Sequence, residues 1–185
     1  MKLAYTMLPG RGDAGLLFHQ LAQELTGRGI SVAGLVQTEA AGPDRHPCDM
    51  YLRVLPGGTV YRISQSLGAG SRGCRLDADA LEAAAFEVGR ALSRGTELLI
   101  VNKFGKLEAQ GRGFRTVIAE AIGNDVPVIV GVNDLNLEAF LDFTDGLGSA
   151  VLPRHQALLD WVLPVLRAPV AGRSAWPPGP MLRAF

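Results

Sequence analysis

The chain has 185 residues, 48% hydrophobic and 19% charged, with a formal net charge of zero. That length suits one domain with a substantial core, and the neutral balance excludes a global pull toward nucleic acid or anionic lipid. No apolar run reaches the ~20 residues a membrane-spanning helix needs, and Met1-Lys2-Leu3-Ala4-Tyr5 lacks a signal-peptide pattern, so membrane insertion is not expected and a cytoplasmic location is.

Lys2–Met7 reads as a strand, Leu8–Gly12 as a Pro/Gly turn, and Asp13 as the cap of a helix from Ala14 to about Thr26, with Leu17, Leu21 and Leu25 on one face. Gly27 and Gly29 end that helix, and Ser31–Gln37 is a second strand. A strand-turn-helix-strand start points to a parallel sheet. After the polar loop Thr38–Pro47, the segments Tyr51–Leu55 and Thr59–Ser64 flank Pro56-Gly57-Gly58 as a small antiparallel hairpin insertion. Asp77 caps a helix whose apolar face carries Leu81, Ala84, Ala85, Val88 and Leu92. Leu98–Val101 is a strand buried on both faces, stopping at Asn102. Phe114, Val117, Ile118, Ala121 and Ile122 mark a helix, Val126–Val132 a buried strand, Leu135–Phe143 a short helix, Ala150–Leu152 a short strand and Arg154–Leu166 a last helix. The expected fold is a three-layer α/β domain over 1–166 with a mostly parallel sheet. Residues 167–185, with Trp176-Pro177-Pro178-Gly179-Pro180, form a Pro/Gly-rich tail, either flexible or a strap docking on the domain, a second copy or a protein partner.

Four groups could carry chemistry. In an α/β sheet, ligands bind beyond the carboxyl ends of strands, so the turn after Val101 is the first place to look. Asn102, Lys103, Lys106, Arg112 and Arg115, with Glu108 and the glycines between, could form an oxyanion or phosphate pocket, or a solvated loop of ordinary surface charge. Cations at a helix start oppose its macrodipole unless an anion sits among them. Two of the chain's three lysines lie in this stretch, which singles it out.

The first turn, Gly10-Arg11-Gly12-Asp13-Ala14-Gly15-Leu16-Leu17, sets Gly10 and Gly15 at the spacing of the phosphate-binding pattern G-x-x-x-x-G-K-[ST]. Leu16 and Leu17 replace the lysine that neutralises phosphate and the hydroxyl that ligates Mg²⁺. Main-chain N–H groups could still hold an anion there, and a plain turn capped by Asp13 is the alternative. Gly68-Ala69-Gly70-Ser71-Arg72-Gly73-Cys74-Arg75 could form a main-chain nest for an anion between Arg72 and Arg75, or a simple turn. His46, Cys48 and Met50, with Cys74, are weak candidates for a soft metal, although H-x-C-x-M is not a zinc spacing. His19 and His155 fall on helices without a triad partner or a G-x-S-x-G elbow.

Gly34-Leu35-Val36-Gln37, Gly68-x-Gly70-Ser71-x-Gly73-Cys74-Arg75-Leu76-Asp77 and Asn102-x-Phe104-Gly105-Lys106-x-Glu108-x-x-Gly111-x-Gly113 resemble an uncharacterised bacterial family sometimes associated with molybdenum transport. More remotely, Gly105-Lys106-Leu107-Glu108 is similar to the Gly-Lys-x-Glu of cancer-related P-loop nucleoside-triphosphatases, which precede it with an acidic pair where this chain has Asn102-Lys103. The resemblance implies a P-loop-type fold whose two nucleotide motifs are degenerate. Three functions follow as expectations. The chain binds an anionic small molecule, a nucleotide or an oxyanion such as molybdate, without hydrolysing it. Or it is an unorthodox phosphohydrolase, with Mg²⁺ on Glu108 or Asp134 and Glu108 as its catalytic carboxylate. Or it is a non-catalytic scaffold subunit docking through its tail.

Overall fold

Short apolar stretches alternate with amphipathic helices along this chain, and a strand buried on both faces is stable only with helices covering each of them. The computed structural model describes residues 2–8, 13–38, 49–65 and 75–167, and it shows that arrangement. The order is β1 (Leu3–Met7), α1 (Asp13–Gly27), β2 (Val32–Thr38), β3 (Tyr51–Leu55), β4 (Val60–Arg62), β5 (Ser64–Gln65), β6 (Arg75–Leu76), α2 (Ala78–Leu92), β7 (Leu98–Phe104), α3 (Lys106–Ala109), α4 (Arg115–Gly123), β8 (Val128–Val132), α5 (Asp134–Phe143), β9 (Ser149–Ala150) and α6 (His155–Arg167).

Seven strands form one sheet in the order β4-β3-β2-β7-β8-β1-β9, while β5 and β6 pair separately. Every pairing from β2 to β9 is parallel, and β3 and β4 are antiparallel. The hairpin expected as an insertion therefore extends the main sheet, because Leu35 of β2 faces Val54 of β3 across a regular antiparallel ladder. All of Leu98–Val101 and Val128–Val132 are buried, as central parallel strands require.

Alternation along the strands divides the core in two. Leu3, Leu35, Leu99, Val101 and Val130 face α2, α4 and α5. Ala4, Val36, Ile100 and Ile129 face α1 and α6. On α1 the buried stripe is Phe18, Leu21, Ala22 and Leu25; Leu17 is only partly covered, so the buried face keeps the expected Leu21 and Leu25 and adds Phe18. On α2 the buried set is the expected one, and Asp77 caps the helix by accepting the Ala80 N–H at 3.0 Å.

Two features were not expected. The strand after Glu97 does not stop at Asn102 but runs on to Phe104. Val101 faces Val130 and Phe104 faces Val132, so β7 spends three residues where β8 spends two. That bulge turns Phe104 back into the core, edge-on to Phe140 at 5.3 Å. The four-residue α3 follows at once.

Candidate functional site

Because β1, β8 and β7 are parallel neighbours, their carboxyl ends share one edge of the sheet, where the chain turns into α1, α5 and α3. At the start of α1, Gly15 is buried, and a Cβ on it would stand 2.5 Å from Gln37 Cβ. Glycine is required there because the helix begins hard against the end of β2. Leu16, at the position of the phosphate-binding lysine, is 64% exposed. Gly10 and Gly12 lie outside the described residues.

The floor of this edge is polar in an otherwise apolar sheet. Thr6 of β1 is fully buried, and its hydroxyl has no hydrogen-bond partner among the described residues; nor does the side-chain oxygen of Asn102. Between their strands stands Gly131 of β8, paired with Thr6. A Cβ at Gly131 would collide with the main-chain oxygen of Asn102 and with Leu8, and would crowd Phe18 at 3.0 Å. The sequence reading missed Thr6 and Gly131; the signal was the one small polar residue inside Leu3-Ala4-Tyr5-Thr6-Met7 and a lone glycine inside Val128–Val132.

Beyond the bulge, the segment from Gly105 to Phe114 folds around one carboxylate. Glu108, 2% exposed, accepts the Gly105 N–H on Oε2 at 2.8 Å and the Phe114 N–H on Oε1 at 3.1 Å. The first contact is the reach of a residue-three glutamate back to the N-cap of its own helix. The second ties the start of α4 to the same group. Gly113, at φ +59°, has no room for a Cβ beside Glu108 Oε1, and its N–H donates to Glu82 Oε1 at 2.9 Å. Burial pushes the Glu108 carboxyl above the usual glutamate range, against the opposing pull of the Phe114 and Gly105 N–H groups.

The cations divide into two sets. Arg112 Nε lies 3.5 Å from Glu82 Oε1. The Arg115 guanidinium stacks over the Phe143 ring at 4.2 Å and reaches the main-chain oxygen of Glu108 at 3.4 Å. An anion among the cations at this helix start is thus supplied by the protein itself, through Glu82 at Arg112. Lys103 and Lys106 are exposed and make no ion pair among the described residues.

The other groups are not brought to this edge by anything described. Arg75 sits in β6, opposite Gln65, and Met50 packs partly buried against the core. Arg72, Gly73, Cys74, His46, Cys48 and the tail from 168 lie outside the described residues. No cluster of three His, Cys, Asp or Glu suited to a metal occurs among the described residues. Asp134 is exposed in the first turn of α5. His155 of α6 faces Glu24 of α1, with Nε2 3.2 Å from Oε2 but without a hydrogen bond among the described residues.

A parallel sheet extended by an antiparallel hairpin, with helices on both faces and a glycine-containing helix start after β1, is a three-layer α/β fold like that of P-loop nucleoside-triphosphatases. The crystal structure of THEP1 from the hyperthermophile Aquifex aeolicus matches with a TM-score of 0.63 at 17% identity, over 91% of this chain and 100% of that one. The solution structure of a human cancer-related nucleoside triphosphatase matches with a TM-score of 0.61 at 18% identity, over 86% of this chain and 93% of that one. The chain belongs to the family described as "Protein of unknown function (DUF2478)", which matches residues 3–161. It is also 32% identical over 160 residues to the molybdenum import ATP-binding protein ModC 2 of Bradyrhizobium diazoefficiens. That match takes in 86% of this chain but only 18% of the relative.

Proposed function

We propose that this chain is an anion-binding accessory or regulatory protein, one that holds a nucleotide or an oxyanion such as molybdate at the strand-end edge and does not hydrolyse it. The observation that carries this reading is the junction between the end of β7 and the start of α3, which presents exposed Lys103 and Lys106 at the edge where a P-loop fold receives its ligand. Asn102 adds a neutral hydrogen-bonding group beside them. The relative named for molybdenum import supports an oxyanion, and the small share of it that matches supports a module working beside a larger ATP-binding protein.

Hydrolysis needs charge in two places where this chain has none. Leu16 cannot neutralise a phosphate as lysine does. A nucleotide of this fold arrives with Mg²⁺, which binds through one or two carboxylates. The end of β7 offers the neutral Asn102, Glu108 spends both oxygens on main-chain N–H groups, and Asp134 is an isolated exposed carboxylate. These residues do not fit a resident Mg²⁺, and no step is routed through one.

Thermal unfolding with ATP·Mg²⁺, GTP·Mg²⁺ and molybdate in parallel tests the reading. A ligand at about 100 times its Kd adds roughly 2.7 kcal/mol, a few degrees for a domain of this size. A shift with any of the three is expected, without release of inorganic phosphate from the nucleotides. Unchanged melting in every well, or steady phosphate release, would overturn it.

A further inference from the structure

The segment that follows β7 and carries Lys106 is closed on itself by one buried group. Gly105 and Phe114 stand nine positions apart in sequence, yet both donate to the single carboxylate of Glu108. Gly105 immediately precedes Lys106, and its carbonyl accepts the Ala109 N–H at 3.0 Å, the bond that begins α3. The Gly113 N–H is fixed in turn by Glu82, while the Arg112 N–H donates to Leu107 O at 2.9 Å. The segment therefore has its two ends and its middle held by hydrogen bonds, while the Lys106 side chain is left to solvent. Lys106 lies at the first position of α3, one residue from a held N–H and two from Glu108.

We infer that Glu108 is a positioning residue: by holding the Gly105 and Phe114 N–H groups it fixes Lys106 relative to Lys103, so that the two ammonium groups converge on one anion. This rests on the anion-binding reading above. A carboxylate suits the task because each of its oxygens accepts from a different main-chain donor, and no neutral side chain of that length offers two such acceptors.

A double-mutant cycle with molybdate and ATP·Mg²⁺ as probes tests this, using Glu108→Gln, Lys106→Ala and the pair. Binding is measured by calorimetry from low to moderate salt, at a temperature where circular dichroism shows each variant folded. Glu108→Gln is expected to weaken binding about tenfold, within the range of coupled neighbours. It is expected to flatten the salt dependence as Lys106→Ala does, and to add little to Lys106→Ala in the double variant. Additive losses, or a salt dependence unchanged in Glu108→Gln, would reduce Glu108 to a structural role and overturn the proposal. Should Glu108→Gln not fold, Glu108→Asp, whose shorter carboxylate cannot hold both the Gly105 and the Phe114 N–H groups, is put through the same cycle with the same criterion. A wild-type chain that binds neither probe would instead bring down the anion-binding reading, and the wild-type arm alone reveals that.

Discussion

At the residue scale, the most consequential groups are those with no freedom to be anything else. Gln in place of Glu108 keeps one acceptor but turns an NH₂ toward a main-chain N–H, so a buried donor loses its partner. The expected loss is about 1–3 kcal/mol. The sign of its pH dependence follows from burial, which raises the carboxyl's pKa in the folded chain. An acid with a raised folded pKa contributes its stability below the ordinary glutamate range and loses it as pH rises through the raised value. The stability gap between wild type and Glu108→Gln should therefore narrow on going from mildly acid to neutral pH in denaturant titrations; a gap that widens would contradict it. Gly131 gives a second expectation. Ala at that position forces β8 away from the Asn102 carbonyl, which cannot yield as a side-chain tip would, and about 1–3 kcal/mol should be lost. A shift in the urea midpoint worth less than ~0.5 kcal/mol would mean the sheet edge accommodates a methyl. The sequence named Glu108 but not its orientation: Gly105-x-x-Glu108 has capping-box spacing, whereas the second donor, Phe114, comes from a turn that no local pattern describes.

Among the elements, those with a strong period were legible and those set by pairing were not. The stripe on α2 and its Asp77 cap follow from spacing alone. Removing that cap with Asp77→Ala should cost about 1 kcal/mol, visible as a drop of a few degrees in Tm. An unchanged Tm would show that solvent replaces the Asp77 carboxylate at the Ala80 N–H. By contrast, Asn102-Lys103-Phe104 carries no strand signal, because its place in β7 is dictated by Val132 across the bulge. The four residues of α3 are too few to show a period, and β5 and β6 are two residues each. On α1 the pattern gave the helix and its buried Leu21 and Leu25 but left out Phe18, which is fully buried beside Gly131.

The whole molecule was legible as a class: buried apolar strands alternating with helices allow few architectures. What the sequence could not supply was the strand order, and the order decides which loops meet at the edge. It is the placement of β8 between β1 and β7 that sets Thr6, Gly131 and Asn102 side by side from three distant parts of the chain. The cationic loop then stands at the end of the inner strand β7, three strands from the open edge at β9.

The position of β1 has a consequence for how the protein comes to exist. Its two neighbours are β8 and β9, so that Leu3 waits for Val128 and Ala4 for Ser149. During synthesis β1 has neither of these partners until the residues of β8 and β9 have followed. Topologies of such long sequence separation fold slowly, and a strand with both edges open is a template for wrong partners. Until then the sheet lacks its β8–β1–β9 side, so the timing of its completion is written into the strand order itself.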